Sequence, residues 1–188
     1  MARLFWAIEV STAVRAELER AHAVLARRLG DGVRLTNSEQ LHLTLIFLGE
    51  IDLALIADVR DAALSATRAS PFGVTLGAPG AFPESGPATV LWVGISDPTG
   101  GLMSLAGSLA AALRHRGFPI EDRPFVPHLT LGRCKDGSPK AREVLTELRI
   151  APLPLRVETI TLFRSERGPQ GTRHVPLEVL QLGSEGSR

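Results

Sequence analysis

Two histidines open the same tetrapeptide: His42-Leu43-Thr44-Leu45 and His128-Leu129-Thr130-Leu131, in a chain of 188 residues with five histidines. In a β-strand alternate side chains share a face, so His42 and Thr44 project together, as do His128 and Thr130. The intervening leucines turn to the opposite face, with Leu41 and Phe47 continuing it in the first copy. Each strand therefore presents an imidazole beside a hydroxyl. Imidazole titrates near neutrality, so of two such rings one can hold a proton while the other lacks one. A general base and a general acid on opposite sides of a displacement at phosphorus have this composition. Two hydroxyls can donate to the non-bridging oxygens where charge develops. Such chemistry needs no metal and no cofactor. A zinc site would want a third His, Cys or Glu at ligand spacing, which the sequence lacks. A Ser or Cys nucleophile would want an elbow such as G-x-S-x-G, also missing.

The elements around the two tetrapeptides repeat as well. Residues 3–10 read as a strand, and Ser11 can cap a helix carrying Val14, Leu18, Ala21 and Leu25 on one stripe, stopped by Gly30. A short strand at 33–36 leads to a strand at 41–48. A helix over about 53–68 starts after Asp52, and strands near 72–78 and 88–95 follow across a Gly/Pro-rich link. A third helix spans about 100–115 and ends at Gly117; a strand covers 125–133. Ser138-Pro139 starts a helix to about 149. Strands 155–164 and 173–181 close the chain around a turn at Arg167-Gly168-Pro169-Gln170-Gly171. Helix, glycine, HLTL strand, turn, helix and strand thus occur twice. Two copies are too few for a solenoid. The expectation is an α+β, bilobal, internally duplicated fold. Antiparallel sheets line a central cleft with helices outside, and residues 1–188 form a single two-lobed domain with a pseudo-twofold repeat.

Composition bounds the rest. Hydrophobic content of 44% with 22% charged residues suits a globular chain with a sizeable core. The apolar stretches are strand-sized, so no membrane span or association is expected, and the N-terminus does not read as a signal peptide. A single cysteine, Cys134, suits a reducing, cytoplasmic setting. The net charge of +1 disfavours a long nucleic-acid backbone as ligand, yet 19 of the 21 basic residues are Arg, which suits local bidentate phosphate contacts. A monomer is expected. His22 and His115 read as structural or solvated.

The paired His-x-Thr motifs resemble the two-histidine phosphoesterase superfamily, specifically the RNA 2′,3′-cyclic phosphodiesterases historically called 2′-5′ RNA ligases. The segments RLFWAI, LHLTLIFLGE, Ala81-Phe82-Pro83, LWVGI, EDRPFVPHLTLGR and LFRSE carry the resemblance in order along almost the whole chain. Leu35 stands where many relatives have Trp, Val126 where a basic residue is common, and His174 where Tyr is frequent. The resemblance implies a metal-independent hydrolase that opens 2′,3′-cyclic phosphate ends of RNA or nucleotides to 2′-phosphomonoesters. His42 would be the proton donor and His128 the proton acceptor, with Thr44 and Thr130 holding the phosphoryl oxygens. The residues alone leave open which histidine is acid and which base. Phe5, Phe82 and Phe125 are candidates to stack on a base or line the groove, with Phe5 equally a core residue. Arg123, Arg164 and Arg173 could contact the backbone. Arg133 could contact phosphate, although strict alternation puts it on the leucine face unless the strand bends at Gly132. Ligation in the same site, or non-catalytic binding of RNA ends, are the alternatives.

Overall fold

A computed structural model describes residues 1–168 and 171–183. Among the described residues nine strands and four α-helices follow in the order β1 (Ala2–Glu9), α1 (Thr12–Leu29), β2 (Val33–Leu35), β3 (His42–Ile51), α2 (Ile56–Leu64), β4 (Phe72–Phe82), β5 (Ala88–Ser96), α3 (Gly101–His115), β6 (His128–Ser138), α4 (Pro139–Glu147), β7 (Pro154–Val157), β8 (Thr159–Gly168) and β9 (Gly171–Gln181). The caps read from sequence are in place. Ser11 accepts from Val14 N, and Ser138 accepts from Ala141 N with Pro139 at the first helical position. Gly30 and Gly117 follow α1 and α3 with positive φ (52° and 83°), where a side chain would be strained. Asp97 caps α3 through both carboxylate oxygens, accepting from the amides of Gly101 and Leu102.

All strands join one antiparallel sheet ordered β7-β4-β5-β6-β3-β1-β8-β9, with β2 added beside β6. The two halves meet at β3 and β6, which among the described residues pair at Leu43↔Leu129. A single residue, Glu158, separates β7 from β8, although six strand spacings lie between them in the sheet. Laid flat, that is about 29 Å at about 4.8 Å per strand, far beyond the reach of two residues. The sheet must therefore curl into a half-barrel. Its convex face carries the helices: α1 and α4 pack together on the β4-β5-β6 half, while α2 and α3 pack together, α3 against β3. The core beneath them takes Leu4, Trp6 and Ile8 from β1, the leucines of both HLTL strands, and Leu18, Leu25, Leu105 and Leu109 from the helices.

The halves are thus joined, with the HLTL strands as neighbours, and the cleft is the concave face of one curled sheet. The order α1-β3-α2-β4 is matched by α3-β6-α4-β7. Three local expectations change. The helix over 53–68 is broken into α2 flanked by 3-10 turns at Leu53–Leu55 and Ala66–Arg68. The strand at 125–133 starts at His128, because Pro124 and Pro127 remove ladder donors before it. The strand at 155–164 is two strands serving opposite halves, β7 on β4 and β8 on β1. The last hairpin pairs Gly168 with Gly171; Pro169 and Gln170 of its expected turn lie outside the described residues.

Candidate active site

Leu43 and Leu129, both fully buried, anchor each motif strand beneath the helices. Registered residues of an antiparallel pair point to the same face. Extending the register one step either way from Leu43↔Leu129 sets His42 beside Thr130 and Thr44 beside His128 on the concave face. The two rings are held alike. His42 Nδ1 lies 2.7 Å from the Gln40 carbonyl oxygen, and His128 Nδ1 lies 2.7 Å from that of Val126. A carbonyl only accepts, so Nδ1 carries the hydrogen in each ring and Nε2 is left for the cleft. The carbonyls are placed by what precedes each strand. Before β3 a 3-10 turn at Ser38–Gln40 is capped by Asn37; before β6 Val126 sits among prolines.

The surroundings of the rings differ. His42 packs with Phe5 at 4.9 Å between centroids and Phe163 at 6.1 Å, and meets the edge of His174 at 5.0 Å. Burial pushes its pKa down to about 4; the Gln40 carbonyl works against this shift, and the charges of His174 and His128 add to it. His174 is also held below the usual imidazole range by burial. His128 meets Phe82 edge-on at 5.2 Å and Trp92 at 6.1 Å. The Trp92 indole lies over Gly80: a Cβ there would stand 2.2 Å from the ring.

The other candidates separate. Phe5 is 2% exposed and touches His42, Phe47, Phe163 and His174. It supports the histidine from beneath and is closed to a base, so the stacking expectation for it is corrected. Phe82 remains on the cleft face through its contact with His128. Phe125 packs against the main core. Arg123 pairs with Glu121 at 3.1 Å on the exposed loop before β6. Arg164 pairs with Glu166, and Arg173 lies opposite Glu166 in the β8–β9 ladder.

Arg133 changes face. On β5, Trp92 pairs with Thr130 and Leu91 with Gly132, so β6 advances two residues while β5 advances one. This bulge leaves Arg133 opposite Val90, on the face of Trp92, Thr130 and His128. Sequence reasoning missed Trp92 and Phe163 as ring neighbours of the histidines, and marked His174 only as following a turn that could reach the cleft. It also missed Arg34, which β2 sets opposite Arg133. Nothing in their spacing marks them, because each lies on a strand brought to the site only by long-range pairing. Among the described residues no group of three or more His, Cys, Asp or Glu side chains could hold a metal ion, and no helix is long and apolar enough to cross a membrane.

The family model of the 2′-5′ RNA ligase superfamily matches residues 10–169. The chain belongs to that superfamily. A Thermotoga maritima member named RNA 2′,3′-cyclic phosphodiesterase is 32% identical over 170 residues, covering 90% of this chain and 89% of its own. An Escherichia coli K12 member of the same name is 31% identical over 185 residues, covering 94% of each. Among similar solved structures, one from Thermus thermophilus superposes with a TM-score of 0.81 at 31% identity, covering 97% of this chain and 99% of that one. E. coli LigT complexed with 3′-AMP gives 0.78 at 29% identity, with the same coverage.

Proposed function

We propose that this protein hydrolyses 2′,3′-cyclic phosphate ends of RNA, and nucleoside 2′,3′-cyclic phosphates, to 2′-phosphomonoesters, acting as one two-lobed domain whose halves each supply a His-x-Thr pair. The observation that carries the reading is the matched anchoring of His42 and His128 by the carbonyl two residues upstream, each ring next to the other copy's threonine. Membership of the superfamily and the relatives' shared name, RNA 2′,3′-cyclic phosphodiesterase, support it.

In this reading His128 Nε2 accepts a proton from water as the water oxygen attacks phosphorus. The bond from phosphorus to the 3′ oxygen breaks, and His42 Nε2 delivers a proton to that oxygen. The products are a 3′-hydroxyl and a 2′-phosphomonoester. Thr44 and Thr130 donate hydrogen bonds to the non-bridging oxygens and stabilise the charge gathering there. With its pKa near 4, His42 is neutral in the free protein at pH 7. The substrate's own negative charge raises that pKa on binding, so the acid is loaded when substrate arrives. Protonation coupled to binding reconciles the depressed value with the donor role.

The test is hydrolysis of adenosine 2′,3′-cyclic phosphate followed by ³¹P NMR. The expected product is the 2′-phosphate, formed equally well with EDTA present. His42→Ala and His128→Ala should each lower kcat by about 10²–10⁴. Full activity in either variant, or a 3′-phosphate product, refutes the assignment.

A further inference from the structure

Beyond the paired histidines, the concave face carries two arginines that the proposed chemistry does not use. β2 and β6 pair as Val33↔Cys134, Arg34↔Arg133 and Leu35↔Gly132. Arg34 and Arg133 are therefore direct cross-strand neighbours, and the bulge at Leu131 turns both toward the side of Thr130. Like charges directly opposite each other destabilise a sheet. Both side chains are exposed, and among the described residues neither makes an ion pair or a side-chain hydrogen bond. On the other half Arg3, two residues from Phe5 along β1, is answered by Glu50 at 4.0 Å.

The close approach is built in by Gly132. A Cβ there would stand 2.8 Å from the Arg34 carbonyl oxygen and 3.2 Å from Leu35 Cα. Any side chain at 132 would push β2, and Arg34 with it, away from β6. Along β6, Arg133 lies roughly 7 Å past Thr130, two strand steps once the bulged residue is discounted. That is close to the spacing of successive phosphates along an extended strand. Two guanidinium forks facing one concavity suit a phosphate held in bidentate fashion.

We infer that Arg34 and Arg133 form a second phosphate subsite, which holds the phosphate on the 5′ oxygen of the terminal nucleotide while its cyclic phosphate lies between His42 and His128. This rests on the function proposed above and extends it to substrate preference. Substrates carrying that phosphate, as a chain phosphodiester or a free 5′-phosphate, are processed faster than a bare nucleoside cyclic phosphate. Phe82 and Trp92 line the same half of the face.

Three substrates separate the possibilities: adenosine 2′,3′-cyclic phosphate, the same nucleotide with a 5′-phosphate, and the adenylyl dinucleotide ending in a 2′,3′-cyclic phosphate. The expected result is about a tenfold or larger gain in kcat/KM for both phosphate-bearing substrates. That gain should collapse toward one in Arg34→Gln/Arg133→Gln and persist in Arg27→Gln, whose side chain sits on the outer helix α1. In the wild type the gain should shrink with added salt, with a log–log slope of about −0.7 for the one extra phosphate contact; this measurement needs no variant to fold. A gain with the dinucleotide alone, a gain that survives the double substitution, or a gain insensitive to salt would each overturn the subsite. Loss of all three activities in the wild type would refute the proposed hydrolysis instead, so the two failures are distinguishable.

Discussion

The protonation of His42 is the most exposed consequence of this geometry. The ring enters the fold from an ordinary pKa of 6.5 and is held at about 4, chiefly by burial among Phe5, Phe163 and His174. The folded value lies below the unfolded one, so between those limits the unfolded chain binds more protons. Stability therefore falls as pH drops through that window. For a single site with these two values the loss relative to pH 7 is about 2 kcal/mol at pH 5 and about 3 kcal/mol at pH 4. His42→Asn keeps a donor for the Gln40 carbonyl and removes the titration. His128 and His174 are unchanged in both proteins. Glu9, opposite His42 in the β1–β3 ladder, also stays, with Thr161 Oγ1 3.4 Å from its carboxylate. Urea denaturation of both proteins at pH 7 and pH 5 should show the wild type losing about 2 kcal/mol relative to the variant. In parallel, the His42 ring proton should titrate near pH 4 in the free protein by NMR and higher with inorganic phosphate bound. A stability difference that stays flat between pH 7 and 5, or a free-protein midpoint at or above 6.5, would refute the argument.

Other substitutions probe the supporting structure. Thr130→Val removes one donor to the phosphoryl oxygens and should lower kcat by about 10²–10³ with a smaller change in KM, measured on adenosine 2′,3′-cyclic phosphate. Gly80→Ala drives a methyl into the Trp92 ring; we expect a loss of about 1–3 kcal/mol in urea unfolding and altered indole fluorescence. Glu17 is buried on α1 and accepts from Ala151 N at 2.7 Å, which holds its carboxyl below the usual range. Glu17→Ala leaves that amide unsatisfied and should destabilise by about 1–3 kcal/mol without changing kcat.

Much of the site was legible because its signal is local. Strand alternation alone assigns His42, Thr44, His128 and Thr130 to one set of faces and the leucines to the other. Caps at Ser11 and Ser138 and stops at Gly30 and Gly117 are set by hydrogen bonding and φ within a few residues, so the duplicated order of elements was readable too. Arg133 was misplaced by the same alternation rule. A bulge depends on the partner strand as much as on its own sequence, and Gly132 marked only where a bend could fall. Phe5 was open between core and groove until β8 and β9 supplied Phe163 and His174 to cover it.

The sequence by itself determined the inventory: which side chains can do chemistry, which strands and helices carry them, and that they come in two matched sets. Tertiary structure decided how the sets meet. The HLTL strands became antiparallel neighbours through one leucine pair, which gives each histidine the other copy's threonine. The curl that joins β7 to β8 turned a sheet into a cleft. Burial then separated the two histidines, lodging His42 among aromatic rings that depress its pKa while giving His128 the Phe82–Trp92 pair. These outcomes depend on contacts between residues far apart in the chain, and no local pattern encodes them.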